Sequence, residues 1–414
     1  MADPTPASAD KPGDRSSEFH PRIESLRGIA ALMVALFHSI HLLSVDGIPQ
    51  VYLRTLWNLQ GVQASLTRVL MIFVNGGAAV SLFFVMSGFV LALSLARDRR
   101  PVPDLAGAFV MRRFFRIYPP LAVNVLIYAA AMWMVCGGWP VLYNDPPPSL
   151  RAIVVNLVLI KNSVNGATWS LIVEMMAVPF ILLAHLLVRG RSPWLILLPA
   201  VVGRIALNTP WLFFRVRYLY LFLFMFFWGM AIPVVGPLVA RRVSRRSAAI
   251  ALWVGVALLL GARFLFGYWS RQSLGVEAIG AALLVSVVAY GPDFRWLALL
   301  DGRAVRFLGR ASYSLYLYHP VFLSLGVPLV MALLAPTSMP ERYPLIVGLG
   351  FALVTVPPTL LAAKLSYEWI ERPVIRLGRK VEERFLARRA NRGTVAAAHA
   401  VDAPRTLDER ASRA

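Results

Sequence analysis

Near its N-terminus the chain reads Arg22-Ile-Glu-Ser-Leu-Arg27-Gly-Ile-Ala-Ala-Leu-Met-Val-Ala-Leu-Phe-His38, with ten apolar or glycine residues between Arg27 and His38. This pattern predicts a membrane helix that carries an ionisable side chain at either end of its apolar run. Eleven residues of helix advance by about 16 Å and return to within roughly 20° of the starting direction, so the two side chains share a face. We expect the arginine near one membrane surface and the imidazole near mid-bilayer.

The pattern of this helix allows two interpretations. Ionisable groups at such depth are costly and usually functional. Alternatively, Arg27 only sets the orientation of the helix, and His38 only bonds to a neighbouring helix.

The composition identifies a polytopic membrane protein. Of 414 residues 58% are hydrophobic and only 15% are charged, which is too apolar for a soluble domain of this length. Lys and Arg exceed Asp and Glu by 21 residues, but they cluster between apolar runs, as positive-inside topology requires. We therefore expect the lipid bilayer as a partner and no nucleic acid. The single cysteine, Cys136, excludes an intramolecular disulfide and a thiolate metal cluster, and no metal site is expected.

Apolar runs of about 17–25 residues predict an all-α polytopic membrane helix bundle of about ten transmembrane helices. The expected spans are 27–43, 78–96, 117–136, 168–188, 194–209, 218–236, 248–266, 274–291, 311–334 and 343–368. The loops on one side hold 16 Lys and Arg residues and those on the other side hold 8. This asymmetry predicts that both termini are cytoplasmic, and we expect a multi-pass protein of the cell's inner (plasma) membrane.

Three regions follow from these patterns. Residues 1–20 are predicted to be a disordered tail, 21–378 the membrane domain, and 379–414 a cytoplasmic tail that begins as an amphipathic helix and becomes disordered. The apolar run 153–160 is too short to cross the bilayer and is predicted to be interfacial or re-entrant.

Polar residues interrupt several spans. Ser87-Gly88 in the second span allows close helix packing or lines a ligand channel. Arg113 and Arg116, three residues apart, project to one side of a helix, which suits a phosphorylated ligand as well as positive-inside anchoring.

An acid in the fourth span, Glu174, is predicted to lie about 9 Å below the outer surface. Measured from the inner face its depth is about 20 Å against about 16 Å for His38, so the two side chains are expected to meet. A buried carboxylate is costly, which favours a functional role. The ninth span carries a polar stripe, with packing and binding roles equally open, formed by Ser312, Tyr313, Tyr316 and His319.

Taken together, these motifs resemble the acyltransferase-3 family of integral-membrane O-acyltransferases. The resemblance covers residues 22–378. It is carried by Arg27 and His38, Phe83-Phe-Val-Met-Ser-Gly-Phe89, Arg113-Phe-Phe-Arg116, Thr168-Trp-Ser-Leu-Ile-Val-Glu174, Ser312-Tyr-Ser-Leu-Tyr-Leu-Tyr-His319 and Glu371-Arg-Pro373. It implies a ten-helix bundle that moves an acyl group, most often acetyl from acetyl-CoA, to a hydroxyl of a sugar or other acceptor, with acyl-CoA as donor substrate and no bound cofactor.

The resemblance also implies roles for individual residues. His38 would be the general base, Glu174 would orient its imidazole, and Arg27 would orient the donor or stabilise the oxyanion. Arg113 and Arg116 would hold the phosphates of CoA. Further substrate-binding residues would be Ser87, Trp169, Ser170, Tyr313, Tyr316 and His319. Two alternatives stay open: His38 itself carries the acyl group, or the protein is a proton-coupled transporter in which His38 and Glu174 relay protons.

Overall fold

A computed structural model describes residues 20–135 and 147–401, without residues 42, 44, 47, 49 and 214. The predicted tail up to residue 19, Cys136 and residues 402–414 lie outside the described residues. The α-helices are α1 Pro21–Ile40, α2 Val62–Phe73, α3 Gly76–Ala96, α4 Val102–Val135, α5 Leu150–Leu157, α6 Trp169–Val188, α7 Leu197–Ala206, α8 Arg217–Ala240, α9 Arg245–Phe266, α10 Arg271–Tyr290, α11 Arg303–Arg310, α12 Ser312–Leu334, α13 Met339–Arg342, α14 Pro344–Ser366 and α15 Arg372–Val401.

Within these ranges, nine helices are long and apolar enough to cross a membrane. They match nine of the predicted spans, and the prediction of an all-α polytopic bundle is confirmed. The predicted span 194–209 is a shorter helix, since the apolar helical segment there is only Pro193–Ala206. Its α-helical part, α7, rises about 15 Å, half of the hydrocarbon core. It ends before Pro210, which disfavours helical backbone in the residue that precedes it.

The centre of the bundle is α3, which packs against α1, α6, α8 and α10. Its closest approach is to α8, where a Cβ added at Gly88 would lie 2.0 Å from the carbonyl oxygen of Phe226. A Cβ at Gly229 on the facing helix would lie equally close, 2.0 Å, to the carbonyl oxygen of Val85. Because only glycine allows the two backbones to come this near, the packing interpretation of Gly88 is confirmed.

The first helix, α1, packs against α3, α11, α12 and α14. It begins at Pro21, which suits the first helical turn, and ends at Ile40. His38 therefore lies in the last turn of α1, closer to one helix end than the expected mid-bilayer position. The helix extends further on the N-terminal side than the apolar run indicated, because Arg22 is held there by Asp301 and Asp293 at 2.7 Å each.

A π-helical turn, Tyr367–Glu371, joins α14 to α15 without a break. Such turns are frequent at functional sites. The turn buries Glu371, whose carboxylate accepts a hydrogen bond of 3.0 Å from Ser314. The helix α15 then packs along α4, so the predicted boundary at residue 378 falls inside a continuous helix. The division into domains stays a prediction.

The orientation of the bundle is tested by cysteine labelling. In a Cys136→Ser background, we expect Lys161→Cys to react with a membrane-impermeant maleimide in intact cells and Arg246→Cys to react only after permeabilisation. Both positions are exposed loop or helix-end residues, and the excess of basic residues predicts that Arg246 faces the cytoplasm. Labelling of Arg246→Cys from outside would invert the predicted topology.

Candidate functional site

Three cavities follow one another through the bundle along α3. The arginine cavity, of about 230 Å³, is lined by Arg27, Ser87, Arg113, Arg116 and Glu174 among others. The middle cavity, of about 40 Å³, shares Arg27, Ser87 and Glu174 with it. The histidine cavity, of about 320 Å³, shares Val80 and Tyr316 with the middle cavity and contains His38.

The row of cavities is nearly as long as a membrane is thick. The lining residues on α3 run from Ser94 in the arginine cavity to Gly76 in the histidine cavity. Eighteen residues of helix correspond to about 27 Å, against about 30 Å for the hydrocarbon core. The helices α1 and α6, which carry motifs noted in the sequence, line all three spaces, and α12 lines the middle and histidine cavities.

In the arginine cavity, Arg113 and Glu174 form an ion pair. Arg113 Nη2 donates to Glu174 Oε1 at 2.9 Å, and Ser87 Oγ donates to the same oxygen at 3.4 Å. The side chains are only 8% and 17% exposed. The acid is thus paired with Arg113 in place of the expected partner His38, and phosphate binding by Arg113 stays a prediction.

A second acid, Glu371, lies within electrostatic reach of Arg27 and Arg116. The cavity is lined by five arginines, which are Arg27, Arg112, Arg113, Arg116 and Arg379. Two carboxyl groups against five guanidinium groups leave an excess of positive charge. Arg27 Nε is buried and has no hydrogen-bond partner among the described residues. Because a buried donor without a partner is costly, this arrangement favours an anion or a carbonyl group as the occupant of the cavity.

The middle cavity is a constriction made by tyrosines. Tyr316 donates to the carbonyl of Ala167 at 2.9 Å and accepts a hydrogen bond of 2.9 Å from Ser170. Tyr313 donates to the carbonyl of Ile117 at 2.7 Å. The polar stripe of α12 therefore lies along the cavity row, and its tyrosine hydroxyls also tie α12 to α4 and to the start of α6.

In the histidine cavity, His38 faces a second imidazole. The rings of His38 and His319 are stacked, with centroids 5.4 Å apart and planes at 22°. His319 Nδ1 lies 2.7 Å from the carbonyl oxygen of Tyr316. A carbonyl only accepts, so this nitrogen is the protonated one, and Nε2 of His319 is left as an acceptor.

One member of a buried ion pair, which the sequence motifs did not predict, also lines the histidine cavity. Arg263 donates to both carboxylate oxygens of Glu277, at 2.6 and 3.1 Å, and Ser81 donates to Glu277 at 2.5 Å. The side chains of Arg263 and Glu277 are 3% and 0% exposed. The available signal was a lone acid and a lone arginine inside two apolar spans, Glu277 in 274–291 and Arg263 in 248–266.

Aromatic rings complete the histidine cavity. Its walls include Tyr52, Tyr128, Trp169, Tyr268 and Trp269. Tyr268 stands over the guanidinium of Arg263 at 4.3 Å. Burial raises the pKa of Tyr268 to about 12, which keeps its hydroxyl protonated. Rings with a polar edge suit a ligand that has both apolar faces and hydroxyl groups.

Buried asparagines fix the loop that leads into α6 and so position Trp169 and Glu174. Asn165 donates to the carbonyl of Leu317 at 2.9 Å and to Asn124 at 2.7 Å, while its own amide oxygen accepts from Ala167 N–H. These bonds tie α6 to α4 and α12 where the three helices surround the cavities.

The protein is a polytopic helix bundle in which buried charges lie along a row of cavities nearly as long as a membrane is thick. These features define its class as an integral-membrane enzyme or transporter. The acyltransferase-3 profile, described as an acyltransferase domain, matches residues 20–363. The chain belongs to this family of membrane acyltransferases. It is 26% identical over 334 residues to the exopolysaccharide production protein ExoZ of Rhizobium meliloti (strain 1021), covering 74% of this chain and 92% of that protein. No solved structure matches it.

We expect that breaking the buried Arg263–Glu277 ion pair strongly lowers the free energy of unfolding. Glu277→Gln leaves a buried guanidinium uncompensated and is expected to cost about 3–5 kcal/mol in the free energy of unfolding. Arg263→Met in the same chain should restore part of this loss. The control is Arg306→Gln, which breaks a pair that is about one third exposed on both sides and should cost about 0–1 kcal/mol. Tryptophan fluorescence during denaturant titration in mixed micelles measures all four proteins, and equal losses for Glu277→Gln and Arg306→Gln would contradict the assignment.

The pairing of Glu174 is tested by double-mutant cycles on unfolding. We expect Arg113→Gln and Glu174→Gln to be coupled by about 0.5–3 kcal/mol, because each removes the other's charged partner. His38→Gln and Glu174→Gln should be additive within about 0.5 kcal/mol. Strong coupling in the second cycle would instead support a direct His38–Glu174 pair.

Proposed function

We propose that this membrane acyltransferase transfers an acyl group, acetyl in the first instance, from acyl-CoA to a hydroxyl group of a carbohydrate. The observation that carries the proposal is the cavity row, which joins an arginine-rich end to a histidine-containing aromatic end. The similarity to ExoZ, an exopolysaccharide production protein, supports a carbohydrate acceptor.

The donor would enter at the arginine cavity. Its mouth carries Arg112, Arg116 and Arg379, whose guanidinium groups suit phosphate. The long, narrow pantetheine arm would extend past Glu174 and Arg27 into the middle cavity. In this arrangement Arg27, with its buried Nε, is placed to donate to a carbonyl of the arm or of the thioester.

The acceptor would bind in the histidine cavity, where aromatic rings can stack on a sugar ring. His38 removes the proton from the acceptor hydroxyl as its oxygen attacks the thioester carbonyl. The new C–O bond forms, the C–S bond breaks, and the proton passes from His38 to the departing thiolate, which leaves as CoA. The result is an ester on the acceptor and a regenerated neutral imidazole.

Two residues that line this cavity would assist the reaction. His319 offers Nε2 as an acceptor beside His38 and so can hold a proton or steer the base. Arg263, whose guanidinium nitrogens bond to Glu277 and to the carbonyl of Tyr268, also lines the histidine cavity, and its charge would stabilise the oxyanion that develops in the tetrahedral intermediate. Glu174, through Arg113, would act on the donor end and not on the base.

Loss of the base should abolish transfer. His38→Ala is expected to lower kcat by at least about 100-fold, since general base catalysis contributes roughly 10²–10⁴. His319→Gln should lower kcat with little change in the KM for donor, while His185→Gln, on α6 outside the three cavities, should stay near wild type. The wild-type kcat should fall as the pH is lowered through the histidine titration, because only neutral imidazole is a base.

The assay is transfer of radiolabelled acetyl from acetyl-CoA to extracted cell-surface polysaccharide by the full chain in lipid vesicles. Wild-type turnover in His38→Ala protein of unchanged stability would remove His38 from the mechanism. Accumulation of an unmodified solute inside the vesicles, without labelled polysaccharide, would instead identify a proton-coupled transporter.

A further inference from the structure

A strongly basic groove lies on the surface between the end of α3 and the start of α4. Its walls are Ser94, Arg97, Asp98, Arg99, Arg100 and Arg112. Ser94 and Arg112 also line the arginine cavity, so the groove and the cavity are adjoining spaces. The mechanism above uses the cavity but assigns no role to the groove.

The groove is held in shape by an ion-pair network. Asp98, whose side chain is 6% exposed, accepts hydrogen bonds from Nε and Nη2 of Arg100. It also accepts a hydrogen bond of 3.4 Å from Arg112. Glu382 on α15 accepts from Arg100 at 3.0 Å and from Arg112 at 2.5 Å. Hydrogen bonds from Arg100 lower the pKa of Asp98 to about 2, so the acid stays charged at physiological pH.

The backbone of the groove is fixed as well. Arg189, at the end of α6, donates to the carbonyls of Arg99 and Arg100 at 3.1 and 2.5 Å. Four arginines line the groove and Arg189 lies beside it as a fifth, against the two carboxylates of Asp98 and Glu382. Its excess positive charge is therefore presented by a rigid surface, which lowers the entropy lost when an anion binds.

We propose that this groove binds the 3′-phosphorylated ribose of the donor nucleotide. The inference rests on the proposed use of acyl-CoA and adds a separate subsite to it. A nucleotide seated here would have its pyrophosphate at Arg112, where groove and cavity meet. From Ser94 to Val80, where the middle and histidine cavities meet, α3 spans about 21 Å, which is the path left for the pantetheine arm.

Two features favour this site over the expected pair of Arg113 and Arg116. Arg113 is committed to Glu174 at 2.9 Å and is only 6% exposed. Arg99, in contrast, is exposed in the groove. A phosphomonoester carries close to two negative charges near neutral pH and forms charge-assisted hydrogen bonds with guanidinium groups.

The test compares acetyl-CoA with acetyl-dephospho-CoA, which lacks the 3′-phosphate. Initial rates are measured for the full chain in vesicles of zwitterionic lipid, so that anionic headgroups do not compete for the groove. For the wild type we expect the KM of acetyl-dephospho-CoA to be about tenfold higher, which corresponds to about 1.4 kcal/mol for one charge-assisted contact.

The groove variants are Arg99→Gln and Arg97→Gln. Each should raise the KM of acetyl-CoA several-fold and leave the KM of acetyl-dephospho-CoA unchanged, so that the ratio of the two falls toward one. Their matched control is Arg242→Gln, an exposed arginine at the end of α8 that lies outside the groove. It should leave the ratio at its wild-type value.

A wild-type ratio near one would overturn the subsite. So would an equal rise in both KM values for Arg99→Gln, since that result indicates a general electrostatic effect. If neither donor supports transfer, the proposed reaction is contradicted without a result for the groove. Calorimetric titration with CoA and dephospho-CoA then tests the groove directly. Equal affinities in that titration would exclude recognition of the 3′-phosphate.

Discussion

The structure depends on the free-energy cost of placing charged side chains inside an apolar helix bundle. Each deeply buried acid is matched by a donor: Glu277 by Arg263, Glu174 by Arg113, and Glu371 by Ser314. Without such partners the desolvation of each carboxylate would exceed what packing supplies. The same pairing holds helices together, because Arg263 and Glu277 lie on adjacent helices and Arg113 and Glu174 join α4 to α6.

This constraint divides the cavity row into two chemically different ends. Glu174 and its arginines occupy one end, and His38 with His319 occupies the other, separated by the constriction at Tyr316. In the proposed reaction the first end would bind the charged donor and the second end would bind the polar acceptor.

Close packing of α3 against α8 occurs beside the row of cavities. The contact of Gly88 with Gly229 brings α3 and α8 together on one side of α3. Ser87 and Val80 lie roughly a quarter of a turn round α3 from Gly88 and line the cavities. In the dipeptide Ser87-Gly88, the glycine thus allows close packing and the serine lines two of the cavities.

The sequence by itself determined the class of fold, because apolar runs of membrane length need no tertiary information to be recognised. The residues that it selected for the site all line one of the three cavities, since polar side chains in apolar helices are rare. Their partners depended on the tertiary structure. Helical rise places Glu174 and His38 at similar depths, but helix rotation and tilt decide which side chains meet, and they brought Glu174 to Arg113 and His38 to His319. The Arg263–Glu277 pair emerged only from the packing of α9 on α10, because two isolated charges in separate spans carry no spacing signal.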